Sequence, residues 1–237
     1  MTHLRAVLFD AGDTLVRLRG EPGDLLRRGA EVAGLGPLDA AAAADVWQRI
    51  VAMASTPEEL ASGRDLSAER HRENWTRLYA AAGCDRLASG LSGALYDVTV
   101  DASSWEVFPD VLPVLRALRD GGVRVGVLSD TGFDLGPVFD VLELSGLLDV
   151  VVMSFQTGVC KPDRSAFLGA CALLESEPAE TLMVGDNPLT DGGAVAAGLP
   201  VLLLPPAAGS GSRGLDRVLW LLSGPNLPEH GRSPASA

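Results

Sequence analysis

Val7-Leu8-Phe9-Asp10-Ala11-Gly12-Asp13-Thr14-Leu15 opens with three apolar residues that run into an aspartate, after which the chain turns through Gly12. A strand buried on both faces of a parallel sheet reads as such an apolar run. In doubly wound sheets ligands bind outside the carboxyl ends of the strands. Asp10 is therefore where a reactive carboxylate would be placed, although an acid closing a strand can also be only a turn former.

Three later stretches extend the pattern. Val125 to Thr131 is a second apolar strand ending in the hydroxyl of Ser129, followed by Asp130. Thr157 to Asp163 brings Lys161 just ahead of a helix that Pro162 helps to start, and Leu182 to Asp191 ends a strand in Asp186 and Asp191. Lys161 is the only lysine in the chain, which favours a functional reading of it over a snorkelling surface side chain.

Between and beyond these stretches the signals alternate. After a polar, turn-rich exit over 16–23, residues 24–100 read as helices only: Asp24 and Asp39 are candidate caps, Trp75, Leu78, Tyr79 and Ala82 recur at helical spacing over 67–82, and a fourth apolar run covers 87–98. The strand and helix signals then take turns from Trp105: helix to Asp120, strand 123–128, helix 134–145, strand 149–153, helix 163–174, strand 180–185, helix 189–197, strand 200–204. That alternation predicts a parallel sheet covered on both faces. A Pro/Gly/Ser-rich linker follows from Pro205, a short helix covers 215–222, and the composition beyond Ser223 is that of a disordered tail.

A net charge of −12 and a pI near 4.6 disfavour nucleic acid and anionic membranes as partners. No apolar run approaches the roughly 20 residues of a membrane span. Cys84, Cys160 and Cys171 form no CxxC pair, which fits a reducing, cytoplasmic location.

In order, spacing and residue type the four stretches resemble the haloacid dehalogenase superfamily of hydrolases, in its branch with a helical cap inserted after the first motif. The resemblance implies an α/β, doubly wound, Rossmann-like core from 1–15 and 105–205, an all-helical cap over 16–104, and a linker, helix and tail from 206. It implies that Asp10 is a nucleophile carrying a phosphoaspartate, and that Asp10, the carbonyl of Gly12 and Asp186 hold Mg²⁺. Asp191 would orient the metal's waters or Lys161, while Ser129, Asp130 and Lys161 would meet the phosphoryl group. The substrate would be a small phosphorylated molecule, and the enzyme a monomer or homodimer.

One position departs from the family. Its phosphatases carry a second Asp two residues after the nucleophile, to protonate the leaving group; here Gly12 stands there and the extra acid is Asp13, on the other face of an extended chain. Losing a general acid costs about 10² to 10⁴ in rate. The expectation is a phosphatase biased towards acyl or aryl phosphates, or one in which Asp130 or His71 gives the proton. A 2-haloacid dehalogenase also lacks that acid, but Asp186 does not favour this alternative, and its anchoring arginine would have to come from the Trp47-Gln48-Arg49 region. A phosphonoacetaldehyde hydrolase needs a cap lysine, and 16–104 has none. The non-enzymatic alternative is a degenerate binding or regulatory module. Arg17, Arg19, Arg49, His71 and Trp75 are the candidate cleft residues of the helical segment.

Overall fold

The computed structural model describes residues 4–21 and 23–223. The expectation for the tail beyond Ser223 lies outside the described residues. In chain order the elements are β1 (Ala6–Phe9), β2 (Val16–Leu18), α1 (Asp24–Val32), α2 (Ala40–Ala54), α3 (Pro57–Leu60), α4 (Ala68–Ala82), α5 (Cys84–Leu87) and α6 (Leu91–Val100). They continue with β3 (Trp105–Val107), α7 (Val111–Asp120), β4 (Arg124–Ser129), α8 (Gly136–Val141), β5 (Val150–Met153), α9 (Ser154–Thr157) and α10 (Arg164–Leu173). Last come β6 (Thr181–Gly185), α11 (Ala194–Ala197), β7 (Val201–Leu203) and α12 (Asp216–Ser223).

Five parallel strands form one sheet in the order β5-β4-β1-β6-β7. All four residues of β1 are buried, as the apolar run requires of a strand flanked on both edges and covered on both faces. Successive side chains point to opposite faces. Val7 and Phe9 join Leu115, Phe139 and Val218 on one side, while Ala6 and Leu8 join Phe167, Ala170 and Ala197 on the other. The sheet is thus wound on both faces.

Register places the site. Phe9 of β1 lies level with Val127 of β4 and Val184 of β6. Asp10 follows immediately, its N–H donating to the carbonyl of Val184 at 2.8 Å. Ser129 and Asp186 each come two residues past those partners, so the three side chains leave the same edge of the sheet.

The exit from β1 is not a plain polar turn. Val16–Leu18 pairs antiparallel with Trp105–Val107, Leu18 facing Trp105 in register. Arg17 on this ribbon donates to Glu106 at 2.7 Å.

Among the described residues, 24–100 contribute helices and no strand. These helices have a buried cluster of their own, centred on Leu26, Val46, Leu78 and Leu95. Asp39 caps as expected, accepting from the N–H of Ala42, and Ser67 caps α4 by accepting from the N–H of Arg70. Asp24 does not: Gly23 in the left-handed region precedes the helix, and Asp24 turns back to accept from Glu21 N–H at 2.8 Å. The single helix expected over 189–197 is a 3₁₀ turn at 191–193 followed by one α turn, in keeping with Gly192 and Gly193.

The stretch from Pro205 is tied down. Both carboxylate oxygens of Asp110 accept backbone N–H groups, from Arg213 at 3.0 Å and Leu215 at 2.8 Å. That contact seats Leu215 and Val218 in the core.

Candidate active site

Lys161 is fixed between two carboxylates. Its Nζ donates to Asp10 Oδ1 and to Asp191 Oδ1, each at 2.6 Å. Its backbone N–H donates to Asp130 Oδ1 at 3.0 Å. Burial disfavours the ammonium, yet Asp10, Asp191 and Asp130 together hold its pKa above the ordinary lysine value. Lys161 is charged at every physiological pH.

Both carboxylate oxygens of Asp191 are engaged. One oxygen takes Lys161, and the other accepts the N–H of Asn187 at 3.0 Å. Its close approach to β6 needs Gly185, since a Cβ there would collide with the Asp191 carboxylate.

Asp10, Asp186 and Asp191 each offer an oxygen within 4.8 Å of the others. Burial, and then repulsion from Asp10, Asp13 and Asp191, pushes Asp186 up to about 7. Burial also raises Asp10, against the attraction of Lys161. Three crowded carboxylates and one ammonium leave an excess of negative charge. An all-oxygen donor set with that excess fits a hard divalent cation such as Mg²⁺. Asp10 and Asp186 are the side chains that could hold it. The carbonyl of Gly12 stands outside the local bridge, whose bonds run from Asp13 N–H to Val16 O and from Val16 N–H to Ala11 O.

Ser129 and Asp130 line the same cavity as Asp10, Gly12, Lys161 and Asp186. Burial raises Asp130 to about 6 despite Lys161, which still leaves it mostly ionised at neutral pH. Burial likewise pushes the Cys160 thiol up to about 11, which leaves it unreactive.

Of the candidate cleft residues, His71 and Trp75 line the cavity; Arg17, Arg19 and Arg49 do not. Arg49 donates through Nε to the carbonyl of Ala82 at 2.9 Å instead. His71 is buried, with Nδ1 at 2.9 Å from Tyr96 Oη, and burial pushes its pKa down to about 4. An imidazole held neutral at pH 7 is a poor proton donor, which counts against the role suggested for it.

Asp65, which sequence reasoning missed, lines the cavity from the helical side. Its carbonyl accepts the Ser154 hydroxyl at 2.6 Å, joining the helical segment to the sheet edge. Burial lifts its carboxyl to about 6 against the pull of Arg64. Nothing in a lone Arg-Asp pair between helices signals this.

A family model of haloacid dehalogenase-like hydrolases matches residues 4–198. The chain belongs to the haloacid dehalogenase-like hydrolase family. A phosphoglycolate phosphatase of Rhodospirillum rubrum is 30% identical over 84% of this hydrolase and 79% of its own chain. A plasmid-borne phosphoglycolate phosphatase of Cupriavidus necator is 35% identical, but that match spans 41% of this chain and 43% of the relative. A solved dehalogenase shares the fold with a TM-score of 0.67 at 22% identity, over 93% of this chain and 98% of its own. No helix among the described residues of this family member is long and apolar enough to cross a membrane.

Proposed function

We propose that this hydrolase is a phosphatase, cleaving a small phosphate monoester or acyl phosphate with Mg²⁺ bound and with a phosphoaspartate formed on Asp10. The observation that carries the reading is Asp10 at the end of the central strand, held by Lys161 at 2.6 Å with Asp186 close enough to share a cation. The phosphoglycolate phosphatases among its relatives support it.

Held by Asp10, Asp186 and the carbonyl of Gly12, Mg²⁺ would neutralise charge on the transferring phosphoryl oxygens. Asp10 attacks phosphorus through a carboxylate oxygen, and the bond to the leaving oxygen breaks. Lys161 offsets the charge on the phosphoryl oxygens, and the Ser129 hydroxyl hydrogen-bonds one of them. Water then attacks the same phosphorus, releasing phosphate and restoring the Asp10 carboxylate. Asp191 keeps Lys161 aimed.

No side chain stands at residue 12 to protonate the leaving oxygen, so phenolates and carboxylates leave more readily than alkoxides. The division of labour follows the same reading: 1–15 and 105–205 carry the chemistry, 16–104 caps it, and the segment from 206 to 223 packs Leu215 and Val218 back onto the core. Three free cysteines fit a reducing cytoplasm.

The test is phosphate release from acetyl phosphate, p-nitrophenyl phosphate, 2-phosphoglycolate and a sugar phosphate, with and without Mg²⁺, beside Asp10→Asn. Metal-dependent turnover abolished by Asp10→Asn is the expected result. Halide release from a 2-haloacid in place of phosphate release would move the assignment to the dehalogenases.

A further inference from the structure

The acid cluster occupies one end of a cavity of about 640 Å³. Away from it the lining is largely apolar, with Arg64 and Asp65 as its charged pair. Trp47, Val51, Leu60, Trp75 and Tyr79 line that part from the helices, with Trp105 and Phe133 from the sheet side. The rings pack on one another: Trp75 and Tyr79 have centroids 5.5 Å apart, and Trp105 and Phe133 6.0 Å. Val51 and Leu60 nevertheless keep 50% and 41% of their surface exposed while lining it. Exposed apolar surface gathered in a concave site is what a ligand covers.

Cations are scarce there. Among the described residues, Arg64 and Lys161 are the basic side chains of the lining, apart from the neutral His71. Lys161 is committed to Asp10 and Asp191. Arg64 donates to the carbonyl of Ala54 at 3.1 Å, stands 3.5 Å from Asp65, and lies over the Trp75 ring at 4.6 Å from its centroid. A second anionic group on the substrate would shed its hydration against Trp and Leu side chains with no free cation to receive it.

We infer that the cavity selects a monophosphate whose organic group is uncharged and apolar, aromatic above all, and rejects one carrying a further carboxylate or phosphate. The inference rests on the phosphatase reading, because the phosphoryl end is placed at Asp10. It deepens that reading: an aryl group is also the leaving group that needs least help from the acid missing at residue 12. The aromatic wall then selects the same compounds that the chemistry tolerates.

The experiment is calorimetric binding of two unreactive phosphonates, benzylphosphonate and phosphonoacetate, to the whole chain with Mg²⁺ present. Benzylphosphonate is expected to bind at least tenfold more tightly. Trp47→Ala is expected to weaken it about tenfold. Val51→Lys changes a half-exposed side chain, so folding survives, and it is expected to bring phosphonoacetate level with benzylphosphonate.

Equal affinities in the wild type, preference for phosphonoacetate, binding of neither, or a ratio unmoved by Val51→Lys would each overturn the inference. Failure of the phosphatase reading looks different. It is absence of phosphate release from every ester while the binding preference stands.

Discussion

Gly12 concentrates the chemical question in one missing side chain. A Cβ added there meets nothing within 4 Å, so an aspartate has room to stand beside the phosphoryl site. Gly12→Asp is expected to raise turnover of alkyl phosphates by about 10² or more relative to aryl phosphates. The ratio of kcat for p-nitrophenyl phosphate to that for a simple alkyl phosphate reads it. Asp65 makes a second, different prediction. Its folded pKa of about 6 exceeds the unfolded value of 3.8, so the folded chain holds a proton that the unfolded chain gives up. Stability from this group is full below pH 4 and falls as pH rises towards 6. Asp65→Asn should therefore stabilise at pH 8 by up to about 3 kcal/mol, less whatever Arg64 loses, and change little at pH 4. Thermal melts at both pH values check it. Asp10 and Asp186 were legible as candidates because each follows an apolar strand, and Lys161 because it is the only lysine in the chain. Asp65 was not, because its importance comes from a carbonyl contact with Ser154 that spans 89 residues.

Among the elements, α4 is the one whose seating decides how the cavity closes. His71 on α4 sits so near the turn after β4 that a Cβ on Gly132 would collide with its own Cβ. Gly132→Ala is expected to cost about 1–3 kcal/mol and to raise KM for an aryl phosphate, because α4 also carries Trp75. Urea denaturation and steady-state kinetics separate the two effects. The parallel strands were readable from sequence because burial on both faces leaves no ambiguity in an apolar run. The β2–β3 ribbon was not: three residues with a central Arg17 carry too little pattern, and the partner strand lies far along the chain. Asp24 misled for a related reason, since a cap needs the backbone angles of its own position as well as its side chain, and Gly23 took that position.

For the molecule as a whole, the gathered carboxylates are a stability cost that a cation relieves. Asp186 has its pKa near 7 in the fold and 3.8 outside it, so metal-free stability declines as pH rises between those values. Mg²⁺ is expected to raise the melting temperature at pH 8, and Asp186→Asn to melt higher than the wild type without metal while losing most of the metal-induced rise. Differential scanning calorimetry with and without Mg²⁺ distinguishes that from a general salt effect, for which Na⁺ at equal ionic strength is the control. The α/β plan was visible in the alternation of signals; the apolar depth of the cavity was not, because helical periodicity says which residues share a face but not what that face looks upon.

The ribbon that joins Val16–Leu18 to Trp105–Val107 has a bearing on ancestry and on engineering. Because Leu18 and Trp105 are direct partners, the chain departs for its helices and returns at nearly the same point. Everything between is, topologically, the loop of a hairpin. A two-residue Asn-Gly turn could close the same pair of strands, and so could a helical segment borrowed from a relative. Grafting such a segment between Leu18 and Trp105 should leave the circular dichroism of the sheet intact while exchanging one substrate preference for another.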